Sequence, residues 1–199
     1  MAISRLSQTT LQNGFQKYNN IWDGTSAVGS MDAIGVVSLT ATTSSVVFSN
    51  IPQTYSHLQL RITGKSARAN SYGSTIFTQV NSDTTPANYK SHYLVGDGTS
   101  VSGGAVAQNT GYYLYAGLAM GSNATNVTTT NITDIYDYSV VGKYKTSKAL
   151  LGECTTTPSG YCGMYTSVWM GTAAITSLTL VVFEWTWASG SLISLYGIK

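Results

Sequence analysis

From Ala33 onward, apolar and polar positions alternate with a period of two, in short runs broken by Gly, Ser, Asn and Pro. Successive side chains of an extended chain point to opposite faces, so such runs read as strands with one face toward a core. His57-Leu58-Gln59-Leu60-Arg61-Ile62 is the cleanest instance, with Leu58, Leu60 and Ile62 inward and Gln59 and Arg61 outward. The pattern predicts strands near 34–40, 45–51, 56–65, 74–81, 89–95, 111–118, 130–143, 147–155, 161–171, 174–185 and 192–198. That is more than one sheet usually holds. The expected fold class is therefore all-β: an antiparallel two-sheet β-sandwich of jelly-roll type.

One run breaks the simple alternation. Between Ser177 and Trp187, Leu178, Leu180 and Val182 fall on one face, and Val181, Phe183, Trp185 and Trp187 on the other. A strand apolar on both faces needs cover on both. Phe183, Trp185 and Trp187 are accordingly candidate interface residues, covered by an arm or by a second subunit.

Residues 1–31 follow a different pattern. Ile3, Leu6, Leu11, Phe15, Tyr18, Ile21 and Trp22 recur every three to five positions among Gln, Asn and Ser, which suits a short helix followed by an extended strap. Gly14 and Asn19-Asn20 argue against one continuous helix, and Asp23-Gly24 marks a turn. The expected organisation is an N-terminal arm, 1–31, and a β-sandwich domain, 32–199. The arm either packs on its own domain or anchors the chain to a neighbour through Leu6, Leu11, Phe15, Tyr18 and Trp22.

Composition sharpens the picture. Charged residues are 9% of the 199 residues against 43% hydrophobic, and Ser and Thr stand where charges usually do. Thr, with Tyr, Val and Ile, favours half-buried pleated surfaces. Ten scattered Lys and Arg and a net charge of +2 are too few for a phosphate-binding surface, so nucleic acid is not an expected partner. No apolar run reaches the ~18 residues that span a bilayer, and the first thirty residues lack a basic start followed by an apolar core. Neither membrane insertion nor a cleaved signal is expected. A sparsely charged surface favours association, and the expected partner is the chain itself.

Candidate chemistry is thin. His57 and His92 are far apart and lack ligand-gathering spacing, so no metal or other cofactor is expected. Asp134 and Asp137, three apart on one predicted strand, would point to opposite faces, which does not suit a glycosidase pair. Gly96-Asp97-Gly98 reads as a hairpin turn, and Ser102-Gly103-Gly104 lacks the lysine of a phosphate loop. Cys154 and Cys162 flank a Pro158-Ser159-Gly160 turn, where a hairpin would bring them near enough for a disulfide to be open. Asn123, Asn126 and Asn131 match the glycosylation pattern, but without an export signal they read as an Asn/Thr-rich loop entering a strand. Tyr112, Tyr113 and Tyr115 are a candidate ligand platform, with core packing as the competing reading. No catalytic residue is expected.

Two segments carry a resemblance. Phe48-Ser49-Asn50-Ile51-Pro52-Gln53-Thr54-Tyr55-Ser56-His57-Leu58-Gln59-Leu60-Arg61 and the closing Leu192-Ile193-Ser194-Leu195-Tyr196-Gly197-Ile198-Lys199 resemble phrases of virion structural proteins of tailed bacteriophages, particularly of phages infecting aquatic bacteria. Ser4-Arg5-Leu6-Ser7, Asn88 to Leu94 and Lys143 to Thr146 are similar to further phrases of that family. The resemblance implies an exterior virion protein assembled in the host cytoplasm, with other virion proteins as partners and, by family analogy alone, a trimer. Capsid decoration or cement, baseplate and tail fibre all remain open. The competing expectation is a lectin-like receptor-binding domain that recognises host surface glycan.

Overall fold

The computed structural model describes residues 30–68, 74–106, 114–119, 128–154 and 160–199. The chain divides into two units, Met1–Asp32 and Ala33–Lys199. Residues 1–29 of the expected arm, with Leu6, Leu11, Phe15, Tyr18 and Trp22, lie outside the described residues, as do Tyr112 and Tyr113, while Met31, expected to end the arm, opens the first strand.

The described residues form twelve strands and one 3-10 turn, Pro86–Asn88. In chain order the strands are β1 (Met31–Ser38), β2 (Ser45–Phe48), β3 (His57–Gly64), β4 (Ser74–Val80), β5 (Tyr89–Gly96), β6 (Val101–Ala105), β7 (Leu114–Ala119), β8 (Thr129–Tyr136), β9 (Lys145–Cys154), β10 (Gly160–Trp169), β11 (Leu178–Val182) and β12 (Leu192–Ile198). They build two antiparallel sheets. The larger has the order β1-β12-β3-β8-β9-β10-β5-β6, and the smaller β2-β11-β4-β7. The all-β sandwich expected from alternation is the fold.

The two sheets face each other through the residues that the alternation places inward. Leu58, Leu60, Ile62, Ile135, Ile193 and Leu195 of the large sheet meet Val46, Phe48, Ile76, Val80, Leu178 and Leu180 of the small one in a single buried cluster. Each such side chain contributes about 1.5–3 kcal/mol of burial before ordering costs. A second cluster, Ala149, Leu151 and Tyr165 with Tyr93, Val95 and Tyr161, lies under β9, β10 and β5. Much of the remaining interior is hydroxyl-rich, with Thr78, Thr133, Ser91, Ser147 and Ser167 all buried.

Three sequence expectations change. The run 130–143 ends as a strand at Tyr136, because Asp137 takes a positive φ of 50° and its carbonyl accepts the Val140 N–H at 3.0 Å in a turn. The Gly-rich stretch after Asp97 is itself a strand, β6, paired with β5. The hairpin between them is held by the Asp97 carboxylate, which accepts the backbone N–H groups of Thr99 (2.8 Å) and Ser100 (2.7 Å). Those bonds hold Asp97 well below the usual carboxylate range.

The third change concerns the run 174–185. β11 stops at Val182, and Glu184, at φ 61°, turns the chain, with Trp185 N–H donating back to the Val182 carbonyl at 3.2 Å. Phe183 and Trp185 therefore sit at a corner, 37% and 42% exposed, and not on the back of a long strand. Trp187 does not share their face. It returns to the core fully buried, with its indole N–H on the Leu180 carbonyl at 3.2 Å and its backbone paired to Thr43. The expectation that Trp187 serves an interface is overturned: an indole ring is large enough to close the gap between the sheets, and that burial outweighs any exposed use.

Candidate interaction face

The geometry that matters lies on the outside of the large sheet. Antiparallel register across β12, β3, β8, β9, β10 and β5 arranges the outward side chains in straight rows. One row is polar: Tyr196, Gln59, Asp134, Lys148, Thr166 and His92. Gln59 Nε2 donates to Asp134 Oδ1 at 2.7 Å, Arg61 Nε donates to Gln59 Oε1 at 2.8 Å, and Lys148 Nζ lies 3.8 Å from Asp134 Oδ2. The Arg61 guanidinium also covers the Tyr196 ring, 4.9 Å from its centroid. Asp134 is thus fixed by neighbours on both adjoining strands.

Two residues along, the row becomes Ser194, Arg61, Ile132, Leu150, Met164 and Leu94. Its last four members are large, apolar and open to solvent: Ile132 44%, Leu150 51%, Met164 39% and Leu94 51% exposed. They stand on four adjacent strands, so their side chains form one continuous stripe across β8, β9, β10 and β5. Lone exposed apolar residues are ordinary, whereas a contiguous apolar stripe across four adjacent strands makes this face the candidate site.

The row beyond contains Thr63, Thr130, Gly152, Cys162 and Gly96. Cys162 is free and exposed. The hairpin pairs it with Gly152 while Cys154 pairs with Gly160, so the two cysteines are offset by two positions. Diagonal neighbours of that kind stand about 7–8 Å apart, whereas a disulfide needs Cα atoms within about 6.8 Å. The register, which the turn sequence alone does not fix, separates a pair that the hairpin was expected to bring together.

At the other end of β8, Asp137 pairs with Lys143, and its backbone N–H donates to His57 Nδ1 at 3.1 Å. The Lys143 hydrogen bond, against an opposing effect of burial, holds the Asp137 carboxyl below its ordinary value. Lys145 is fully buried beside them, its ammonium on the Lys143 carbonyl, and burial pushes its pKa down. Asp134 and Asp137 do not converge: one lies on the outer sheet face, the other in the turn. His92 is exposed on the polar row, remote in register from His57. Among the described residues no group of three or more His, Cys, Asp and Glu converges within reach of a metal ion.

Of the other candidates, Asn131 is 2% exposed and faces inward, with its Oδ1 accepting the Thr133 hydroxyl at 3.0 Å, so the folded chain does not present it for glycosylation. Asn123 and Asn126 lie outside the described residues, and Tyr115 falls on β7. Comparison with protein-family models, with curated proteins and with solved structures finds no match. Among the described residues no helix is long and apolar enough to cross a membrane.

The apolar stripe went unnoticed in the sequence, although its signal is present. In Tyr93-Leu94-Val95, Ala149-Leu150-Leu151 and Met164-Tyr165 an apolar residue occupies the phase that alternation reserves for polar ones. What the sequence lacks is the neighbour relation that sets these residues side by side.

Proposed function

We propose that this chain is a non-enzymatic structural subunit of a larger assembly, in the exterior of a bacteriophage particle, and that it associates through the outer face of its large sheet. The observation that carries this reading is the in-register stripe Ile132, Leu150, Met164 and Leu94, an apolar surface that a solitary protein has no reason to keep exposed. The virion setting rests on the sequence resemblance. The ionisable groups support a structural role: Asp134, Asp137 and Asp83 each hold neighbouring strands or turns together.

A second reading, glycan recognition, is favoured by one feature. Phe183 and Trp185 are exposed at the turn after β11, with the Arg68 guanidinium 5.7 Å from the Trp185 ring centroid, an aromatic and donor pairing suited to a sugar face. Quantitative mass spectrometry of gradient-purified particles, paired with incubation of the pure protein on host polysaccharide, tests both. Stoichiometric presence in particles without turnover is the expected result. Absence from particles overturns the virion reading, and hydrolysis lost on Asp134→Asn or Glu153→Gln overturns the non-enzymatic one.

A further inference from the structure

The stripe has a symmetry that its composition alone does not reveal. A line along the strands between β9 and β10 divides it into Ile132 and Leu150 on one side and Met164 and Leu94 on the other. The same line divides the polar row into Asp134 and Lys148 against Thr166 and His92. Lay a second copy face to face, rotated by half a turn about that line. Ile132 then meets Leu94, Leu150 meets Met164, Lys148 meets Thr166, and Asp134 meets His92, with each contact made twice.

We infer that this face is the contact between two copies of the chain, related by a two-fold axis running along the strands between β9 and β10. A two-fold interface must be self-complementary, and this pattern is. No like charges oppose one another, and the Asp134 carboxylate gains an imidazole N–H from the second copy. The alternative in-plane axis, along the stripe, sets Asp134 against Thr130 and Lys148 against Gly152 and leaves both charges without an ionic partner across the interface.

Area points the same way. Six strands, β3, β8 and β9 on one side of the axis and β10, β5 and β6 on the other, at about 4.8 Å, and four outward rows, the fourth being Tyr136, Thr146, Val168 and Lys90, at about 6.8 Å span about 29 by 27 Å, close to 800 Å². A stable interface of ordinary size buries about 800 Å² on each partner. Packed sheets sit about 10 Å apart and cross at about 30°. Asp134 and His92 lie one and a half strand spacings from the axis, about 7 Å, where that crossing displaces them by less than a side-chain length.

The inference rests on the structural-subunit reading and deepens it. Sedimentation equilibrium on the full chain is expected to give twice 21.1 kDa. Leu150→Asp, at an exposed central position, is expected to weaken the dimer more than a hundredfold while the melting temperature holds. Asp134→Lys and His92→Asp are each expected to weaken it about tenfold, and the double exchange to restore it. A monomer or trimer overturns the two-fold contact, as does a dimer indifferent to Leu150→Asp. A dimer broken by Phe15→Asp but not by Leu150→Asp puts the N-terminal segment in the contact and overturns it equally. A chain present in particles yet monomeric in solution overturns this inference alone, and a dimer absent from particles overturns the virion setting alone.

Discussion

The Trp169 indole N–H donates to Asp83 Oδ2 at 2.7 Å, tying the end of β10 to the loop that joins β4 to β5. The same carboxylate accepts Asn88 Nδ2 at 2.8 Å and the Thr85 N–H at 2.9 Å. Beside it, the Tyr89 hydroxyl accepts the Val80 N–H at 3.2 Å and donates to the Asp83 carbonyl at 3.0 Å. One carboxylate thus orders a whole turn at the end of the sandwich.

Asp83→Ala is therefore expected to destabilise the fold by about 1–3 kcal/mol in urea unfolding, since it leaves a buried indole N–H without its acceptor. A pH signature accompanies it. Burial raises the Asp83 pKa, but the bonds from Trp169, Asn88 and Thr85 together outweigh it, and the net shift is below the ordinary 3.8. Stability from this group is fully present above that ordinary value and is lost as pH falls through the lowered one. The melting temperature should fall on acidification from about pH 5 to about pH 2, and fall less steeply in Asp83→Ala. Equal slopes would show that the acid loss originates elsewhere.

Trp187 and Trp185 are two residues apart and should behave oppositely. Trp187→Ala removes a fully buried ring between the sheets and is expected to cost about 3–5 kcal/mol. Trp185→Ala, at the 42% exposed corner, loses the Arg68 contact and partial burial of the ring, and is expected to cost about 1–2 kcal/mol. Chemical denaturation of both variants checks this, and comparable losses would mean the corner is packed as tightly as the core.

Glu153 is 4% exposed on the inner face of β9, where the Thr129 hydroxyl donates to its Oε2 at 3.3 Å. Burial raises its pKa, against the smaller effect of that hydrogen bond. The sign is opposite to that of Asp83: the native state binds the proton more tightly, so stability is lost as pH rises from the ordinary value of 4.5 through the raised one. Glu153→Gln keeps the shape without the charge and is expected to raise stability at neutral pH by about 1 kcal/mol. Differential scanning calorimetry at about pH 4 and pH 8 reads it, with the wild type and variant converging at the lower value. A variant destabilised at the higher pH but not at the lower would make the ionised carboxylate a stabilising element.

Alternation alone located eleven of the strands, because Leu58, Leu60 and Ile62, or Ile193 and Leu195, can be buried together only in an extended chain with one face inward. It overlooked β6, whose Val101 to Ala105 carries two glycines and almost no apolar signal, and which exists because β5 offers it a partner. It ran β11 on to Phe183 and Trp185, because a turn at a non-glycine residue such as Glu184 leaves no mark in composition.

The local period of the sequence thus determined that this chain forms strands, which residues face a core, and that two sheets must close on each other. Only tertiary structure decided the division into eight strands and four, the burial of Trp187, the offset of Cys154 from Cys162, and the alignment of Leu94, Ile132, Leu150 and Met164. The reason is physical. A side chain's inward or outward phase is fixed by its own backbone every two residues, whereas its neighbours across a sheet are fixed by register between segments as distant in sequence as Leu94 and Met164.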